Sequence, residues 1–199
     1  MLVGFYGDSY CENNKERKYP IKTYIDQVSE YVGECIHTGY GGSSHWDLIL
    51  KQFDDSADIS VFLWTDPNRL YHEKVRHIRL DSALSKTVPL WNRKIWIAAK
   101  HYYKYLHNQE KAMYEYKSSL AYFDSTLGNK KYIHLWSFEP LKDFSFKNGM
   151  TINIGLHKEF TIEDIAPNHL PLQKDNDIIF AAIKHCIDNY CTGETYDFR

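Results

Sequence analysis

The run Ile59–Trp64 is β-branched and aromatic with no polar alternation, the pattern of a strand buried on both faces. Such a strand needs helices packed on either side, and the rest of the chain supplies them. Strand-like and helix-like segments alternate, which argues for a parallel sheet covered above and below. Leu2–Tyr6 and residues 34–38 and 132–138 read as further strands, and 151–154 as a short fifth. A helix is expected over 20–32, opened by Pro20 and closed by Gly33. Another spans 43–53, where Trp46, Ile49, Leu50 and Phe53 fall on one helical face. A long helical region covers 87–127, as one helix or as two broken near Asn108, and Gly128-Asn129 ends it. The last helix reaches about residue 190, capped by Asp175 or Asn176, with Ile179, Ala182, Ile183, Cys186 and Ile187 facing inward. Segment 12–18 is a polar insert, and 66–86 a loop with room for one helical turn. The expected fold is α/β: a three-layer α/β/α sandwich around a mostly parallel sheet of four or five strands. With 199 residues, no internal repeat and no low-complexity linker, the chain reads as a single domain over 1–199.

Several function classes lose support at this level. A net charge of -2 offers no basic footprint, so no nucleic-acid partner is expected. The apolar runs are far shorter than a membrane span, so no membrane partner is expected either. The N-terminal residues lack a basic region followed by a long apolar stretch, and no export signal is read there. Four cysteines without C-x-x-C spacing give no zinc-ribbon or redox motif. His72 and His77 stand five apart, about 140° round a helix, and cannot share one metal face. No metal and no organic cofactor are expected. Gly39-x-Gly41 lacks the third glycine of a dinucleotide loop, and no Gly-Lys-Ser/Thr occurs. The 16 tyrosines fit either sugar-stacking surfaces or a composition bias.

Two segments carry chemistry. Gly7-Asp8-Ser9 closes the first strand, and in open α/β sheets ligands bind beyond the strand C-termini. As a tripeptide it is weak, because such turns are common in loops. The second is His169, in a loop just before the last helix. A serine hydroxyl is a poor nucleophile until a base takes its proton, and histidine does this near neutral pH. Arg69, Arg76 and Arg79 could meet an anionic group, though a solvated loop is the plainer reading. No Gly-x-Ser-x-Gly elbow occurs.

These blocks, in this order, resemble the SGNH (GDSL-type) hydrolases across most of the chain. Gly7-Asp8-Ser9 matches the block of the nucleophile. Gly39-Tyr40-Gly41-Gly42-Ser43-Ser44-His45-Trp46-Asp47-Leu48 is similar to the block whose glycine N–H serves the oxyanion hole, and Gly42 matches that glycine. Asn168-His169-Leu170 corresponds to the histidine block. The segment 132–139 is similar to phage and environmental viral relatives. The resemblance implies a flavodoxin-like fold and an esterase; with no export signal or membrane span read in the sequence, a cytoplasmic or virion-associated protein is expected. Ser9 is its expected nucleophile, His169 its base and Asp164 the acid orienting the imidazole, with Glu163 or a backbone carbonyl as alternatives. Asp8, Tyr10, Tyr40, Ser43 and Arg69 are the expected substrate contacts. The implied partner is a small-molecule or carbohydrate ester, such as an O-acetylated sugar, a lipid or a thioester. Two departures stand out. The family's Gly-x-Asn-Asp block is replaced by Trp64-Thr65-Asp66-Pro67-Asn68-Arg69, so Asp66 occupies the place of an oxyanion donor although a carboxylate only accepts. Either Asn68 takes over the donation, or Asp66 turns away, or the site is weak or inactive. The acid expected three residues before His169 is Ala166.

Overall fold

A computed structural model describes residues 1–11, 21–75, 78–85, 92–141, 143–160, 162 and 169–197. The expected insert 12–18, the Pro20 helix start, Arg76, Glu163, Asp164, Ala166 and Asn168 lie outside these. Six strands form one all-parallel sheet: β1 (Leu2–Tyr6), β2 (Glu34–His37), β3 (Ile59–Trp64), β4 (Lys131–Trp136), β5 (Met150–Gly155) and β6 (Thr195–Tyr196). Their order is β2-β1-β3-β4-β5-β6, one strand more than the sequence reading allowed. The extra one, β6, is two residues long, too short for any periodicity to register.

Helices cover both faces of the sheet, which makes the three-layer α/β/α sandwich. Side chains alternate along a strand, and here the alternation sorts two different cores. Val3, Phe5, Ile59, Val61, Leu63, Ile133 and Leu135 join a mostly aliphatic layer with α1 (Tyr24–Val32) and α7 (Gln173–Asp188). Tyr6, Phe62, Trp64, Tyr132 and Trp136 face an aromatic layer beneath α5 (Gln109–Thr126). His134 belongs to that aromatic stack, parallel to Phe146 at a centroid distance of 3.7 Å. A small third cluster, with Ile78, Trp96 and Tyr103, joins α3 (Leu80–Leu84) to α4 (Arg93–His101).

Local chemistry explains the helix ends. Thr23 and Asp26 form a reciprocal capping box at α1. Asn108 caps α5, accepting from Lys111 N at 2.8 Å, so the long region is broken there as one of the two sequence alternatives had it. Helix α7 begins earlier than expected, and neither Asp175 nor Asn176 caps it. Asn176 is instead fully buried, accepting from Tyr24 N and donating to the Leu170 and Leu172 carbonyls, which ties α7 to the start of α1. The face expected for 43–53 is also corrected. Helix α2 (His45–Asp47) widens at once into a π-type turn, Leu48–Gln52, which ends in Phe53 N bonding Leu48 O. That widening breaks the 3.6-residue period. Ile49 and Phe53 pack on the aromatic core, but Trp46 and Leu50 are exposed while His45, Leu48 and Gln52 are buried. A short helix, α6 (Leu156–Glu159), succeeds β5. No helix of the described residues is long and apolar enough to cross a membrane.

Candidate active site at the C-terminal edge of the sheet

Strand β1 has β2 on one side and β3 on the other, so the chain reverses its direction of sheet growth there. The crevice beyond such a switch point is where open α/β sheets bind ligands. Ser9 opens a single 3-10 turn, Ser9–Cys11, immediately past β1, and is half-buried. A Cβ on Gly7 would lie 2.7 Å from the Leu63 carbonyl oxygen, so only glycine lets the turn leave so close to β3.

The turn is held by its neighbours' side chains. Asp8 is completely buried, and each of its oxygens accepts twice. Oδ1 takes Tyr10 N (3.2 Å) and the Ser137 hydroxyl (2.9 Å); Oδ2 takes the Thr65 hydroxyl (3.1 Å) and Arg69 Nη1 (3.3 Å). Arg69, itself 6% exposed, also donates from Nη1 to the Ser43 carbonyl at 2.8 Å. One buried ion pair therefore collects the ends of β1, β3 and β4 and the loop after β2. Gln52 adds a second tie, accepting from Gly7 N (2.7 Å) and donating to the Ser43 hydroxyl (2.9 Å). The Ser43 hydroxyl in turn donates to Tyr40 O at 2.6 Å. Gly42, at φ 74°, occupies the left-handed region that favours glycine. A Cβ on Gly39 would meet Cys11 Cβ at 2.3 Å, so the second block passes in direct contact with the Ser9–Cys11 turn.

His169 arrives from the far end of the chain. Its ring lies 5.2 Å, centroid to centroid, from that of Tyr10, the residue after Ser9. Its own φ is 58°, and the fully buried Leu170 anchors the loop behind it. The fold thus brings the His169 ring beside the residue after Ser9, and the second block, at Gly39, beside Asp8 and Cys11 of the same turn. A second imidazole stands near them. His157 Nδ1 is 3.2 Å from the Tyr10 hydroxyl, and its backbone N donates to Ser137 O. The Cys11 thiol is kept protonated and unreactive, because burial, reinforced by Asp8, pushes its pKa well up.

Other expected roles change. Asp8 and Ser43 are too buried to be substrate contacts; they build the frame. Tyr10 is likewise buried, and the Tyr40 hydroxyl is donated to Asp47. Arg69 keeps a place on a cavity wall. Asp66 Oδ1 accepts from both the backbone N (2.8 Å) and the side-chain amide (3.0 Å) of Asn68, so it faces its own loop. Asn68 Oδ1 meets His107 Nε2 at 3.0 Å. The Asn68 amide is therefore engaged by Asp66 rather than held ready for an oxyanion. Gln52, Thr65, Ser137 and His157 were missed by sequence reasoning. The last three stand just past strand ends, the signal that singled out Ser9; Gln52, inside a helical pattern, gave none.

Two cavities flank the loop after β3 and share Pro67, Asn68 and Tyr116. The larger, about 540 Å³, has Trp64, Met113, Trp136, Phe138 and Leu141 in its wall. The smaller, about 300 Å³, is bounded by His45, Trp46, Arg69, Tyr71 and Tyr102. No protein-family model matches the chain, and no curated protein matches its sequence.

Proposed function

We propose that the protein is a serine-dependent ester hydrolase of the SGNH type, with Ser9 as nucleophile and His169 as base. The observation that carries this reading is the packing of the His169 ring against Tyr10, one residue beyond a serine at the switch point of the sheet. Ser9 Oγ attacks the ester carbonyl while His169 takes its proton. The tetrahedral oxyanion is held by the backbone N–H groups of Ser9 and Gly42. Collapse expels the alcohol, which receives the proton from His169, and leaves an acyl group on Ser9. Water, deprotonated by the same imidazole, then attacks the acyl-enzyme, and the acid leaves as Ser9 recovers its proton. Asp164 remains the proposed orienting acid. The steps draw on no cofactor.

Losing one oxyanion donor costs about 2.7–4 kcal/mol in other serine hydrolases, so with the Asn68 amide engaged by Asp66 the reaction runs at a reduced rate. That same engagement favours a second reading, a catalytically inactive SGNH-fold binding or assembly module. Hydrolysis of p-nitrophenyl acetate by the parent and by Ser9→Ala tests the first. A loss of about 10³-fold or more is expected when serine and histidine act as a unit; equal rates would refute the nucleophile. Labelling of Ser9 by a fluorophosphonate separates the active enzyme from the inactive module.

A further inference from the structure

We propose that the exposed side of α4 and of the π-type turn that continues it, Tyr102–Leu106, is a peripheral docking surface for an anionic lipid membrane. This stands apart from the hydrolase reading. The sequence concentrates charge there. Between Asp81 and Glu110 the chain has five basic residues and no acidic one, in a protein whose net charge is -2. Four of the five, Arg93, Lys94, Lys100 and Lys104, belong to α4 and the turn. Among the described residues, none of these four enters an ion pair. Asp81, the acid bordering the stretch, is engaged by Arg79 at 3.4 Å. A surface of one sign without internal counter-charge is complementary to an anionic partner.

Packing fixes which side is offered. Trp96, Ala99 and Tyr103 are buried in the small third cluster. On the opposite side Lys94, Ile97, His101 and Tyr105 are exposed, at i, i+3, i+7 and i+11, which is one helical face. The His101 and Tyr105 rings stack at 5.8 Å, so the face continues through the π-type turn. Lys104 Nζ lies over the Tyr105 ring at 4.9 Å, a cation beside an amphipathic ring. Tyr105 is 64% exposed and Leu106 71%, at the joint where the chain turns into α5.

The mixture of side chains selects lipid over other anions. A nucleic-acid strand would use the cations and stack on Tyr105, but the aliphatic Ile97 and Leu106 gain nothing from phosphates. Protein interfaces are depleted in Lys, and three of the four cations are Lys. At a bilayer both kinds of group are used. Tyr105 and Leu106 enter the boundary between headgroups and acyl chains, while the long basic side chains reach back to the headgroups. The contact is peripheral, since no helix of the described residues is long and apolar enough to cross a membrane. The sequence expectation of no membrane partner rested on the length of apolar runs, which does not register exposed side chains sharing a face with cations.

Co-sedimentation of the full chain with sucrose-loaded vesicles tests this, comparing phosphatidylcholine alone with phosphatidylcholine and phosphatidylglycerol at about 70:30. Binding to the mixed vesicles is expected to be about tenfold tighter or more, and to weaken as salt rises from about 0.05 to about 0.5 M. Lys94→Gln/Lys104→Gln is expected to weaken it about twentyfold, at about fivefold for each cation near an anionic surface. Tyr105→Ser/Leu106→Ser is expected to weaken it about tenfold through the lost apolar insertion. All four positions are exposed, so urea midpoints equal to the parent's are expected for both variants. Absence of binding, equal binding to the two vesicle types, or parent-like affinity in either double variant would overturn the proposal. So would release of the chain from the mixed vesicles by a single-stranded oligonucleotide or by polyglutamate at equal charge, which would make a nucleic acid or an acidic protein the partner.

Discussion

Replacing Asp8 by alanine removes the acceptor of four hydrogen bonds and the counter-charge of Arg69 in one step. The guanidinium is 6% exposed, and among the described residues its other acceptor is the Ser43 carbonyl, so water cannot take over. Breaking a buried pair by deleting one partner costs about 3–5 kcal/mol, against a total stability of about 5–15 kcal/mol for a domain. The stranded Thr65 and Ser137 hydroxyls can rotate toward other acceptors, so the ion pair dominates that figure. Arg69→Met is expected to cost a similar amount, since it leaves a buried carboxylate with three neutral donors. The double variant Asp8→Asn/Arg69→Met, which buries no charge, should then be more stable than the sum of its single variants by about 1–3 kcal/mol. Urea unfolding monitored by the fluorescence of the five tryptophans reads all of these. A loss below about 1 kcal/mol in Asp8→Ala, or strict additivity in the double variant, would refute the account of Asp8 and Arg69 as a coupled frame.

Acid should destabilise the fold through its buried imidazoles. Burial pushes His134 and His45 down to about 3 from the ordinary 6.5, so in the native state both stay neutral while the unfolded chain takes up protons. Stability is full above about pH 6.5 and is lost progressively toward pH 3, by about 2 kcal/mol per histidine at pH 5. Urea midpoints that do not change between pH 7 and pH 5 would contradict it. Gly39→Ala forces its Cβ against Cys11, and should lower both melting temperature and p-nitrophenyl acetate turnover by displacing the second block from Ser9; normal turnover at reduced stability would show the two blocks to be independent. Gln52→Leu strands the Gly7 N–H and is expected to cost about 1–3 kcal/mol in urea unfolding; an unchanged midpoint would count against the tie.

The parallel sheet was legible because β1, β3 and β4 are apolar enough to declare themselves, and the place of Ser9 came from the end of β1. His169 was legible by its position before α7. What the sequence concealed was the purpose of the polar residues around them. Asp8 reads as a substrate contact when only its neighbour Ser9 is considered; its burial becomes visible once Thr65, Arg69 and Ser137, 57 to 129 positions away, are seen to converge on it. The face of 43–53 failed for a different reason: a period-based reading assumes α geometry, and the π-type turn at Leu48–Gln52 swings the side chains off that period.

Among the described residues, the hydrogen bonds that fix the turn at Ser9 bypass its hydroxyl: they run through Asp8, Tyr10 N, Gly7 N and Cys11 N. Position 9 is in that sense a socket, its reagent separable from its mounting. Cysteine or threonine there would change the chemistry offered to a ligand and leave the architecture around it standing.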